Sequence, residues 1–259
     1  MDSMLALPGA IAIGLSLGLL GSGGSILTVP VLVFLLGQDE KTAIAGSLFI
    51  VGSIALAGGL QFLRAGFIQW RSVLTFGLPG MLGTYLGAFL AAYVSGVMQL
   101  ALFALVMLAA SYFMLRPPDL QHVDAAPRAT WKIASDGLIV GIITGLVGVG
   151  GGFLIVPALV LLGGLGMHQA VATSLIIIAL KSFSGFWKYL EVLEAQSLEL
   201  DWATLLIVTA LGIAGSVAGS KLARKLPQHK LKRGFGWFLI VMGIYILARS
   251  GPAALGISS

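Results

Sequence analysis

Between Arg71 and Arg116 the chain contains no acidic, basic or histidine residue. A soluble domain must turn part of every such stretch toward water, whereas a bilayer accepts apolar runs without a polar face. Of the 259 residues, 58% are hydrophobic and 10% charged, and the mean hydropathy is +1.03. These values belong to a polytopic all-α membrane protein. The net charge of +5 does not indicate a nucleic-acid partner, because Lys and Arg sit at the ends of apolar runs rather than on one polar face. The absence of cysteine excludes thiol catalysis and thiolate metal sites, and three His give little material for a metal centre, so no cofactor and no metal is expected. No paired nucleophile and base is evident, and an enzyme is not expected. No cleavable leader is expected either, since Met1 to Leu7 lacks a basic start.

About 20 apolar residues cross a hydrocarbon core of ~30 Å. Runs bounded by charge, proline or polar clusters fall at 5–20, 25–37, 42–63, 72–94 and 98–115, then at 133–148, 152–164, 169–190, 202–224 and 234–249, ten segments in all. The polar stretch Arg116 to Lys132 carries Pro117, Pro118 and Pro127. It separates a first transmembrane repeat, 1–116, from a second, 132–259, with 117–131 as the linker.

The halves repeat one another. Gly21-Ser-Gly-Gly-Ser-Ile-Leu-Thr-Val-Pro30 aligns with Gly148-Val-Gly-Gly-Gly-Phe-Leu-Ile-Val-Pro157, and the same register pairs Ala43, Ala45 and Ser47 with Ala170, Ala172 and Ser174. After a short slip, Gly80, Gly83 and Gly87 pair with Gly212, Gly215 and Gly219. Glycines spaced in this way let helix backbones approach closely. Basic residues mark cytoplasmic loops. The loop with Lys221, Arg224, Lys225, Lys230, Lys232 and Arg233 is therefore inside, and the acidic loop with Glu191, Glu194, Glu199 and Asp201 is outside. Its first-half equivalent holds Arg64 and Arg71, which places that loop inside and makes the repeats inverted. Inversion requires an odd number of crossings per half. The two short segments around each glycine cluster then form a hairpin, each arm being only ~20–24 Å at ~1.5 Å per residue.

Irregular backbone at membrane depth persists where it is buried in protein or lines a wet cavity. The glycines permit positive φ and convergent N–H groups, and the segment that follows presents its positive dipole end to the tip, with Pro30 or Pro157 expected in its first turn. An oxyanion suits such a surface, with Ser22, Ser25 and Thr28 adding hydroxyls. The alternative is a pair of tight turns between packed helices. Inversion would bring both tips to the midplane, where many secondary transporters hold substrate.

The two Gly-x-Gly-Gly-x-x-x-x-x-Pro stretches, the Ala-x-Ala-x-Ser or Thr-Ser start of the following helix and the duplicated layout resemble the sulfite exporter TauE/SafE family. The resemblance spans almost the whole chain. It implies a multi-pass protein of the bacterial inner membrane that transports sulfur-containing anions such as sulfite or an organosulfonate, for example sulfoacetate. The first copy departs from the fuller glycine run, with Ser22 and Ser25 where the second has Val149 and Gly152.

All ten acids lie at or beyond segment ends, so no membrane-embedded carboxylate is expected to carry protons or bind sodium. Lys181 breaks the pattern near the centre of segment 169–190. It reads either as the counter-charge of an anion or as a lysine that packs its stem. The expected substrate-binding residues are Ser22, Gly23, Gly24, Ser25 and Thr28 from the first half, and Gly150, Gly151, Gly152, Ser174, Lys181 and Ser184 from the second. The expected partners are a small anionic substrate and the lipid bilayer. The expected activity is export by alternating access at a midplane site, with an anion channel of the same architecture as the rival.

Overall fold

A computed structural model describes residues 9–15, 25–63, 66–115, 129–148, 151–161, 164–223 and 228–254. These residues are helical apart from short connections, and no strand occurs among them. In chain order the helices are α1 (9–15), α2 (Ser25–Leu35), α3 (Glu40–Leu63), α4 (Trp70–Ala91), α5 (Gly96–Leu115), α6 (Thr130–Val147), α7 (Gly152–Leu161), α8 (Met167–Ala195), α9 (Trp202–Ala223) and α10 (Gln228–Ala254). Among the described residues four helices, α3, α4, α6 and α8, are long and apolar enough to cross a membrane. Shorter apolar stretches are Ser25–Leu35, Gly96–Tyr112, Trp202–Ala218 and Gly236–Ser250. Most of the 117–131 linker lies outside the described residues.

α3 and α8 form the centre. Two thirds of their apolar windows are buried (67% each), against 44% for α4 and 28% for α6. α4 covers α8 on one side and α9 covers α3 on the other, while α4 runs along α6 and α5 along α10. Lipid tails are as apolar as leucine, so such packing must come from close approach and hydrogen bonds rather than from transfer of apolar area out of water. Small residues provide the approach. A Cβ on Gly141 of α6 would overlap the Gly80 carbonyl oxygen and lie 2.9 Å from the Gly83 Cα of α4. A Cβ on Gly14 of α1 would lie 2.5 Å from the Gly212 carbonyl oxygen and 2.9 Å from the Gly215 Cα of α9.

Two helices carry a π turn, α2 over Val31–Leu35 and α4 over Val73–Gly77. Pro79 closely follows the second; it removes a donor and crowds the turn before it, which favours a wider local ladder there, whereas Pro30 precedes the first and acts on the turn before that one. Helix ends are fixed by side chains where the sequence offers them. Asp39 Oδ1 accepts from the Lys41 N–H at 2.9 Å before α3, and Asp201 Oδ1 accepts from the Ala203 and Thr204 N–H groups, each at 3.1 Å, before α9.

Candidate functional site in the helix core

The second glycine cluster ends α6 and starts α7. Gly148 closes α6 with φ +72°, its N–H bonded to the Thr144 carbonyl at 2.9 Å, and Gly151 has φ +73°. Both positions lie in the left-handed region that favours glycine. Space is short as well: a Cβ on Gly151 would lie 2.5 Å from Thr144 Cγ2. Gly152 is already helical, so α7 begins right after the cluster and Pro157 lies in its second turn rather than the expected first. The missing proline donor leaves a first-turn carbonyl of α7 without its helical partner.

Residues from elsewhere in the chain hold this connection. Ser47 of α3 donates to the Gly148 carbonyl, and also to the Ile44 carbonyl of its own helix at 2.8 Å. Gln99 of α5 donates through Nε2 to the Leu146 carbonyl at 2.7 Å and to the Tyr189 hydroxyl at 2.9 Å, while the Tyr189 hydroxyl donates to the same carbonyl at 3.2 Å. Leu146 lies in the last turn of α6, where carbonyls lack intrahelical donors. Gln99 and Tyr189 therefore satisfy a helix end that water would serve in a soluble protein.

Lys181 lies in the middle of α8 and is 1% exposed; its Nζ has no hydrogen-bond partner. The next residue, Ser182, is buried with its hydroxyl oxygen also unpartnered. Lys181 packs its stem over Gly80 of α4, whose Cβ would sit 3.0 Å from the lysine Cδ. Ser182 faces Gly52 of α3 at 3.1 Å by the same measure. Glycine on both neighbouring helices thus makes the room that this polar pair occupies. A charged lysine at membrane depth costs roughly 2.5–3.5 kcal/mol even on insertion scales. The ion pair Lys188–Glu191 lies further along the same helix, where Lys188 also stands over the Tyr85 and Phe89 rings at 5.5 and 5.3 Å.

The other expected site residues divide. Ser22, Gly23, Gly24 and Gly150 lie outside the described residues. Ser25 and Thr28 are buried at the start of α2, and the Thr28 hydroxyl has no partner. Ser174 donates to the Val171 carbonyl at 2.8 Å, and Ser184 donates across to the Met81 carbonyl of α4 at 3.0 Å. Both of these hydroxyl protons are engaged by backbone, and Ser184 ties α8 to α4. Ser182, Ser47, Gln99 and Tyr189 are not among the expected site residues. The pairing of Ser47 with Ser174 in the repeat and the place of Ser182 next to Lys181 are the sequence signals that pointed toward any of the four. Among the described residues no group of His, Asp or Glu is arranged to hold a metal ion.

Among the described residues, the all-helical architecture with several bilayer-length apolar helices is that of a multi-pass membrane protein. The family model described as Sulfite exporter TauE/SafE matches residues 6–246, and the chain belongs to that family. A probable membrane transporter protein of Xylella fastidiosa is 33% identical over 246 residues, covering 92% of each chain. Similar proteins with the same description occur in Methanocaldococcus jannaschii, at 26% identity over 95% of this chain and 97% of the relative, and in Bacillus subtilis, at 28% over 88% and 91%. No solved structure matches the chain.

Proposed function

We propose that this protein is a secondary transporter of the bacterial inner membrane that exports small sulfur-containing anions, sulfite or an organosulfonate such as sulfoacetate, by alternating access at a midplane site. The observation that carries the reading is Lys181: a cation buried at depth with no protein partner, beside a serine hydroxyl that is equally unpartnered. An anion satisfies both groups at once. Its attraction to the lysine strengthens as the local dielectric falls. The unpartnered Thr28 hydroxyl would add a donor from the first half. An inside-negative potential supplies ~2.3 kcal/mol per charge per 100 mV in the outward direction, so export of an anion needs no buried carboxylate.

The alternating-access reading rests on ten segments in two inverted repeats, 1–116 and 132–259, joined by 117–131. The glycine crossings support it. Gly141 meets Gly80 and Gly83 as Gly14 meets Gly212 and Gly215, and each residue of the first set occupies the same repeat register as its counterpart. Further, Lys181 packs over Gly80 as Ile54 packs over Gly212, at 3.0 and 2.5 Å from the respective Cβ positions, and Ile54 shares the register of Lys181. One position of the fold thus holds a lysine in one half and an isoleucine in the other. The burial of Lys181 fits an occluded site better than a conducting pore.

Proteoliposome flux separates the transporter from the channel. The transporter gives saturable counterflow of labelled sulfite or sulfoacetate. Ohmic single-channel current without counterflow would favour the pore.

A further inference from the structure

A stripe on α8 runs from the Lys181–Ser182 pair to the acidic end of the helix. Ser182, Phe186, Leu190 and Leu193 recur at helical spacing and so share a face. At the far end, Leu190, Leu193 and Glu194 join Ser197, Leu198, Glu199, Leu200 and Trp202 around a cavity of about 540 Å³. Between this cavity and Ser182 stands a group of rings from three helices. Phe49 of α3 packs on Phe186 with ring centroids 5.2 Å apart and meets Phe183 at 6.4 Å. Trp202 at the start of α9 stands edge-on to Phe49 at 5.9 Å and to Phe186 at 6.2 Å. Trp202 lines the cavity while Phe186 is buried, and Gly52, one turn beyond Phe49, is the residue that faces Ser182. The rings therefore lie on the α3–α8 seam between the cavity and the buried polar pair.

We infer that Phe49, Phe186 and Trp202 are the outer gate of the transport path, closed in this structure, and that the cavity at the end of α8 is the vestibule through which the anion leaves. This rests on the reading of Lys181 and Ser182 as the substrate site and of the acidic loop as external. Three helices each contribute a ring, so a small shift of α9 or α3 against α8 breaks several edge-to-face contacts together, as an element with two arrangements requires. Glu194 and Glu199 line the vestibule, and their charge lowers the local concentration of anions on that side. The same charge meets an anion leaving and an anion entering, so it slows passage in both directions and leaves the direction of net flux to the membrane potential.

The chain has no cysteine, so a single Ser182→Cys reports access to the site. A membrane-impermeant thiol reagent is applied to the external face of cells and, separately, to inverted vesicles. Slow external modification of Ser182→Cys is expected, rising about tenfold or more when Phe49→Ala or Phe186→Ala removes the packed rings. Phe49→Leu and Phe186→Leu, which keep more of the volume, give smaller increases and serve where the alanine variants fold poorly. An external rate that stays unchanged in all four folded variants overturns the gate, and so does an acceleration confined to the cytoplasmic face. Failure of the site reading looks different: the gate variants still accelerate labelling, while Lys181→Met retains wild-type anion transport.

Discussion

The α4–α6 crossing gives a stability prediction that can be worked from distances. A methyl on Gly141 would overlap the Gly80 carbonyl and sit 2.9 Å from both the Gly83 Cα and the Thr84 N, all of them backbone atoms that cannot rotate away. Ordinary contacts begin near 3.4 Å, so the two helices must part by about half an ångström to an ångström, an overpacking that costs ~1–3 kcal/mol. Gly58 on α3 is the control. Its Cβ would meet only the Leu175 side chain, at an ordinary 3.5 Å or more, and alanine there gains up to ~1 kcal/mol of helix propensity. At ~2–4 °C per kcal/mol for a chain approaching this size, Gly141→Ala lowers Tm in detergent by roughly 2–12 °C while Gly58→Ala leaves it unchanged or raised. Gly14→Ala, at the corresponding α1–α9 contact, behaves like Gly141→Ala. Equal shifts for Gly58→Ala and Gly141→Ala would refute the claim that glycine-to-backbone contact holds these helices together.

Inverted repeats require Phe67→Cys to be labelled from the cytoplasmic face and Ala195→Cys from the external face; labelling of both from one side contradicts the inversion. Removing either side chain of the pair that serves the Leu146 carbonyl, in Gln99→Leu or Tyr189→Phe, costs ~1–3 kcal/mol in thermal unfolding. The double variant costs less than the sum because the two share one acceptor, and strict additivity would show that they act separately. The Asp201 carboxyl is held below its ordinary value, first by the Thr204 hydroxyl at 2.5 Å and then by the Thr204 N–H. Its contribution is complete above the ordinary aspartate range and is lost as pH falls through the lowered folded value. Asp201→Ala therefore loses stability relative to the wild type at neutral pH, and the difference shrinks in acid; a difference that grows in acid contradicts the cap.

Much of the architecture was legible because bilayer solvation forces it. Apolar runs marked α3, α4, α6 and α8, and the spaced glycines forecast tight helix crossings, though not that Gly83 would meet Gly141 or Gly215 meet Gly14. Lys181 stood out as a charge in the middle of an apolar segment. Ser182 stood out only as its neighbour, because its environment is made by Gly52 from the other half of the chain, a contact that local pattern does not encode. The same limit explains Ser174 and Ser184. Both are serines near the segment centre, yet one spends its proton on its own helix and the other on α4. Gln99 and Tyr189 were invisible for the opposite reason: a glutamine and a tyrosine in apolar segments carry no signal until the end of α6 is placed beside them. Pro157 fell in the second turn of α7 because the helix begins at once after Gly151, sooner than the proline suggested.

Lys181 holds the anion in the proposed transporter, and Lys181→Met tests this on two readouts together. Methionine keeps an apolar stem in the space over Gly80 while removing an unpaired buried charge, so the variant folds at least as stably as the wild type, with up to ~3 kcal/mol to gain. Coulomb attraction between unit charges ~4 Å apart at an effective dielectric of ~20 is about 4 kcal/mol, so loss of the lysine weakens sulfite or sulfoacetate binding by roughly 10²–10³-fold. The measurement is anion affinity together with Tm for wild type and Lys181→Met, purified side by side. An unchanged or higher Tm is expected, with affinity reduced by that factor. Wild-type affinity in a folded Lys181→Met protein would contradict it and leave Lys181 as a lysine that only packs its stem.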